Sequence, residues 1–198
     1  MRILIVGATG TIGRAIVSAL AGRHDLVLAS RSRAPYKVDI TDVGSIRALY
    51  QQVGRVDGVV SAAGGGAWKP LAQLTDADFE KSLHDKLMGQ VNLVRYGLDH
   101  VNDRGSITVT SGILARKPQE GSAAVSLVNA GLEGFGRAAA LEAPRGIRVN
   151  VVSPPWVSET LQAMGQDPDR GLPADVVAEA YVESVEGNAT GQVIEPVG

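Results

Sequence analysis

Cysteine is absent from this chain, so it has no disulfide framework, no thiolate nucleophile and no thiolate metal site. Histidine is nearly absent. His24, His84 and His100 are scattered without ligand spacing, and no metal site is expected. Aromatic residues make up only 4% of the chain. No run of lysine or arginine occurs: 19 basic side chains stand against 21 acidic ones, for a formal net charge of −2. Neither nucleic acid nor a membrane surface is therefore expected as a partner. No apolar stretch approaches the length of a membrane span. The N-terminal apolar run is too short for a secretory signal core and is expected to form the first strand. Together with the missing cysteine, this fits a cytoplasmic protein. What the chain has in plenty is glycine, 24 of 198 residues, which suggests tight turns and close helix packing. The length suits a single domain, 1–198, with a substantial core.

The most informative segment is the first. Arg2-Ile3-Leu4-Ile5-Val6 runs into Gly7-Ala8-Thr9-Gly10-Thr11-Ile12-Gly13, and Ile12, Ile16 and Leu20 then repeat every four residues. The pattern reads as strand, glycine-rich turn and helix. Gly7 allows the tight turn, Gly10 lets the backbone approach a pyrophosphate, and Gly13 permits close helix–strand packing. The free amides and positive dipole end of the new helix face the phosphates. Gly7, Thr9, Gly10, Thr11, Ile12 and Gly13 are the expected phosphate-binding loop, although such a turn can also be purely structural.

Further strands are expected at 26–29, 37–40, 56–62, 106–110, 147–152 and 192–195. Helices are expected between them. One is capped by Thr41 or Asp42, with Val43, Ile46, Tyr50 and Val53 on its apolar face. Thr75-Asp76-Ala77-Asp78 resembles a capping box and opens a short helix. A long helix with Leu83, Leu87, Val91, Val94 and Leu98 in register follows. Another helix, rich in Ala and Gly, covers 122–142, and Pro173 opens the last. The stretch 158–172 is expected to be irregular, either a substrate lid or an ordinary surface loop. Alternating strands and helices give an α/β fold, a doubly wound, mostly parallel sheet of about seven strands with helices on both faces. Ligands then bind beyond the carboxyl ends of the strands, where Gly7–Gly13, Ser61–Gly66 and the segment after Thr110 converge.

GATGTIG at the start, Val38-Asp39-Ile40, Ser61-Ala62-Ala63-Gly64, and Gly146-Ile147-Arg148-Val149-Asn150-Val151-Val152-Ser153-Pro154 occur in this order. In that order and spacing the chain resembles the short-chain dehydrogenase/reductase family over nearly its whole length. The resemblance implies a nicotinamide cofactor on the glycine loop. It implies that Asp39 meets the adenine amino group and that Ala62, Ala63 and Gly64 border the cofactor. Pro154, Val157 and Thr160 would lie at the nicotinamide end, with Pro155 where the family has glycine. The end of the second strand carries Ser30-Arg31-Ser32-Arg33 and no acidic residue. Arg31 suits a ribose 2′-phosphate, so NADP(H) is expected in preference to NAD(H), unless these arginines are simply solvated.

The resemblance breaks at the catalytic pair. The family carries Tyr-x-x-x-Lys on the helix after the fifth strand, and aligned positions here are Val125 and Asn129. Valine transfers no proton. The family's serine falls on Ser111, or on Thr110 if the register slips by one, and its helix asparagine falls on Lys86. Lysine and asparagine have thus exchanged places. The expected catalytic set is Ser111, Lys86 and Asn129, with Lys86 as electrophile or acid and Asn129 on the ribose. The alternative for Lys86 is a surface lysine or one paired with Asp85 or Glu80. His84 reads as solvated, and Trp68 and Trp156 either wall the substrate pocket or simply pack. The expected activity is hydride transfer to or from a small carbonyl, alcohol or activated alkene. The competing expectation is an inactive nucleotide-binding sensor or scaffold. Self-association is expected through helices 83–101 and 122–142, which pair across subunits in the family and carry many small residues.

Overall fold

A computed structural model describes every residue, Met1–Gly198. Seven strands form one sheet: β1 Arg2–Val6, β2 Asp25–Ser30, β3 Tyr36–Lys37, β4 Val56–Ser61, β5 Val101–Thr110, β6 Arg148–Val152 and β7 Val193–Ile194. Their order is β3-β2-β1-β4-β5-β6-β7, and every pairing is parallel. The helices are α1 Thr11–Leu20, α2 Val43–Val53, α3 Asp76–Ser82, α4 Gly89–Gly97, α5 Ala123–Glu142, α6 Ser158–Ala163 and α7 Ala174–Glu186. No helix is long and apolar enough to cross a membrane.

Strand side chains alternate between two cores. In β1, Leu4 and Val6 face Ile46 and Tyr50 of α2, Leu93 of α4 and Leu132 of α5. Ile3 and Ile5 face Ile16 and Leu20 of α1 and Val177, Tyr181 and Val185 of α7. Both faces of the central strands are therefore covered, which is why their sequences are apolar throughout. The chain order reverses beside β1, which pairs with β2 on one side and β4 on the other. A crevice opens there beyond the carboxyl ends.

Four local expectations need correction. The third strand is shorter and earlier than 37–40. After Lys37 the Asp39 amide turns to the Ser45 hydroxyl and the Asp39 carboxylate to Thr41, so the chain leaves the sheet. The fifth strand begins at Val101, five residues early, because Val101 already pairs with Val56. The polar run Asn102-Asp103-Arg104, beside a register shift, disguises that start. The long helix expected from Leu83 begins as a π turn, Leu83–Met88, before α4. Finally, 158–172 is not irregular. It contains α6 and a 3-10 turn, Pro168–Arg170, and a bridge between Val157 and Leu172 closes its ends. The Glu159 carboxylate, at the start of α6, accepts the first amide of α7, from Ala174, at 3.0 Å.

Candidate active site

The glycine loop sits in the crevice. Gly7 has φ +85°, a left-handed conformation, and a Cβ there would lie 2.6 Å from the Ala62 carbonyl oxygen. A Cβ on Gly13 would overlap the Gly7 carbonyl oxygen, so α1 starts directly against the end of β1. Gly10 occupies the N-cap position without a side-chain cap, and the first turn carries no acidic residue. Its amide reaches Gly7 at 3.0 Å, but the amides of Thr11, Ile12 and Gly13 have no acceptor in the chain. Three N–H groups and the positive end of α1 thus point at a place for an anion.

Two cavities flank this loop. One, of about 240 Å³, is lined by Gly7, Thr9 and Gly10, by Ser30 and Arg31 at the end of β2, by Val38 and Ile40, and by Asp85 of the π turn. The Arg31 guanidinium is mostly exposed and lies 3.6 Å from Asp39 and 3.5 Å from Asp85. Asp39 itself does not line this cavity; its neighbours Val38 and Ile40 do. The backbone amide and hydroxyl of Thr41, then Arg31, hold its carboxyl below the usual carboxylate range.

The other cavity, of about 420 Å³, shares Ala62, Ala63 and Gly64 with the first, so the two form one cleft. Ile12, Pro154, Val157 and Thr160 line it, and the opposite wall is Val125 and Asn129, four residues apart on α5. Trp68 and Trp156 meet edge to face at 5.5 Å and line it with Met164. Thr11 and Gly13 are not among the residues that line either cavity, and His84 is exposed away from both.

Lys86, Ser111 and Asn129 all reach this second cavity. The Lys86 ammonium donates to the Ser111 backbone carbonyl at 3.0 Å, not to its hydroxyl. No carboxylate pairs with it, since Asp85 is turned to Arg31. Burial pushes its pKa down from 10.5 to about 8. The Ser111 hydroxyl donates instead to Glu133 of α5 at 3.1 Å. The same carboxylate oxygen accepts Ser153 at 3.0 Å and Arg116 at 2.6 Å, and Arg116 continues to Glu195 at 3.0 Å. The Asn129 amide group points to the Gly112 carbonyl at 3.4 Å, while its Oδ1 is buried without a partner. No tyrosine lines the cavity. Tyr50 and Tyr181 are buried elsewhere, and burial raises both phenols.

Two contributors escaped the sequence reading. Glu133 looks like an ordinary helix-surface acid until Ser111, Ser153 and Arg116 are seen around it. Gln90 is fully buried: it donates to the Thr110 carbonyl and accepts the Thr110 amide, each at 2.8 Å. Nothing in a single glutamine among helical residues announces such a role.

The family model described as Enoyl-(Acyl carrier protein) reductase matches residues 7–192. The protein lin1944 from Listeria innocua has the same fold, with a TM-score of 0.96 and 38% identity over 100% of both chains. The cis-4-hydroxycyclohexanecarboxylate dehydrogenase of Sinomonas cyclohexanicum is 32% identical, over 88% of this chain and 78% of its own length. The hydroxynaphthalene reductase arp2 of Aspergillus fumigatus is also 32% identical, over 66% of this chain, and the match spans only 50% of that relative. A family match over almost the whole length, joined to the glycine loop and the parallel sheet that carries it, means that the chain belongs to the short-chain dehydrogenase/reductase family of oxidoreductases.

Proposed function

We propose that this protein binds a nicotinamide dinucleotide along the cleft, prefers NADP(H) to NAD(H), and transfers hydride to or from a small carbonyl, alcohol or activated alkene. One observation carries this reading: an anion-binding end and an apolar end with a single cation meet at Ala62, Ala63 and Gly64. The residues fit such a group. The unpaired amides of Thr11, Ile12 and Gly13 would hold the pyrophosphate, beside Gly7, Thr9 and Gly10. Arg31 would meet a 2′-phosphate, with Asp39, Val38 and Ile40 at the adenosine end. The orphaned Oδ1 of Asn129 would accept a ribose hydroxyl, and Pro154, Val157 and Thr160 would border the nicotinamide. Once bound, that group supplies or takes up a hydride.

The chain's own residues do the rest. Lys86 presents a cation to the substrate oxygen, held in place by the Ser111 carbonyl. Trp68, Trp156 and Met164 give the substrate an apolar wall to pack against. Ser111 acts through its backbone, because Glu133 occupies its hydroxyl.

One observation favours the inactive sensor as a second reading: no tyrosine, histidine or carboxylate lines the apolar cavity. A titration with NADPH and with NADH, followed by a panel of carbonyl and conjugated-alkene compounds watched at the NADPH absorbance, separates the two. The oxidoreductase reading expects tighter binding of NADPH and turnover that falls at least about 100-fold in Lys86→Ala. Binding without turnover on any compound supports the sensor. Binding of neither coenzyme removes both.

A further inference from the structure

Lys86 is the only titratable side chain lining the apolar cavity. Its amine makes one hydrogen bond, to the Ser111 carbonyl at 3.0 Å, and it has no ion pair. A backbone carbonyl accepts from a neutral amine, though less strongly than from an ammonium, so this contact is open to Nζ in either state. The other four lysines, Lys37, Lys69, Lys81 and Lys117, are all exposed. Val125, Ile113, Leu114, Trp68, Trp156 and Met164 line the same cavity, and its other polar side chains, Thr110, Ser111, Asn129 and Thr160, are uncharged. An aliphatic amine set in such a pocket is the arrangement that makes lysine a nucleophile toward carbonyl carbon.

We propose that Lys86 forms a Schiff base with the carbonyl group of an α,β-unsaturated aldehyde or ketone, and that such compounds are the substrate class of this site. The proposal rests on the oxidoreductase reading above and, for this substrate class, replaces the contact of the Lys86 cation with the substrate oxygen by a covalent iminium. The Nζ lone pair adds to the carbonyl carbon. One amine proton and one proton from solvent then leave with the carbonyl oxygen as water. Nitrogen keeps its other proton and becomes the positive end of an iminium, where the ammonium had stood. That charge draws electrons from the conjugated β carbon, which can accept a hydride, two electrons and a proton's mass, from a dihydronicotinamide. The alkene electrons move to give an enamine. Water protonates the α carbon and hydrolyses the C=N bond, returning the saturated carbonyl compound and the free amine. No acid at the carbonyl oxygen is needed for the hydride step, and the cavity offers no tyrosine, histidine or carboxylate to be one. Burial, by pushing the Lys86 pKa to about 8, leaves far more neutral amine at pH 7 than an exposed lysine has.

The test traps the adduct without any coenzyme. The full-length protein is incubated at pH 7 with cinnamaldehyde and sodium cyanoborohydride, and modified sites are found by intact mass and peptide mapping. The expected result is a reductively alkylated Lys86, formed at least tenfold faster than on any of the four exposed lysines and lost in Lys86→Arg, which keeps the charge. Even labelling of all lysines, or none at Lys86, overturns the proposal. So does an adduct that retains the carbonyl oxygen, which marks attack at the β carbon instead. NADPH binding is measured on the same preparation. Binding without the Lys86 adduct overturns the Schiff base and leaves the oxidoreductase reading standing. The adduct without binding supports the amine chemistry and removes the oxidoreductase.

Discussion

Lys86 sits where its charge is unwelcome, and the consequence is measurable. Its folded pKa of about 8 lies below the ordinary 10.5 because burial disfavours the ammonium. Between those values the unfolded chain holds more protons than the folded one, so stability rises with pH across that window. Below about pH 8 the penalty is present in full. Nζ faces a cavity and is not sealed, so the cost is about 1–2 kcal/mol. Lys86→Met keeps the bulk without the charge. It is expected to be more stable than the parent by that amount at pH 7, with the margin shrinking from pH 8 to pH 10 in urea unfolding. A margin independent of pH would rule out burial as its origin. The neighbouring serine makes the opposite prediction. Ser111→Ala removes a donor from Glu133 but keeps the carbonyl that holds Lys86. Stability should fall by about 1 kcal/mol, while turnover stays within about threefold of the parent. A loss as large as that of Lys86→Ala would return the hydroxyl to the chemistry.

The elements show why some of this was legible and some was not. Alternation of strand and helix, and the glycine turn after β1, are local patterns, and they located the glycine-lined end of the cleft. The π turn was hidden because Leu83 and Leu87, spaced four apart, suit an α-helix and a π turn equally. That turn carries both Asp85 to the cavity beside the glycine loop and Lys86 to the apolar one. The exchange of lysine and asparagine was visible only through alignment on a family pattern. What each then touches, a carbonyl for Lys86 and nothing for Asn129 Oδ1, depends on contacts across 25 and 17 residues of sequence. Gln90 of α4 is the clearest omission. Past the last pairing of β4 with β5, Val60 with Thr108, its amide takes both backbone groups of Thr110 as a further strand would. Gln90→Leu leaves an amide and a carbonyl buried without partners and is expected to cost about 2–4 kcal/mol in denaturant unfolding. A cost under about 0.5 kcal/mol would mean that β5 holds its end without help.

At the scale of the molecule, the doubly covered sheet leaves one helix face unused. α5 turns Leu132, Val128 and Glu133 inward and Val125 and Asn129 to the cleft. On its outer side Leu127, Ala130, Gly134, Ala138 and Leu141 recur at helical spacing, and Leu127 and Leu141 are 50% and 90% exposed. Met88, at the end of the π turn, is 38% exposed. Nothing lies within 4 Å of a Cβ built on Gly134, so another helix could approach closely there. A 20-residue helix is about 30 Å long, enough to seed the roughly 800 Å² per partner of a stable interface. We therefore expect a second copy of this chain to cover α5, so that sedimentation velocity at micromolar concentration shows a dimer or larger species. Replacing both Leu127 and Leu141 by glutamate should give a monomer with an unchanged far-ultraviolet circular dichroism spectrum, because neither side chain belongs to the core. A parent protein that sediments as a monomer would leave this face as an ordinary exposed helix. If the dimer forms, α5 is gripped on its outer face while Val125 and Asn129 form the cleft wall on another. The monomeric variant should then bind coenzyme more weakly than the parent, and equal affinity would show that the wall stands without the partner.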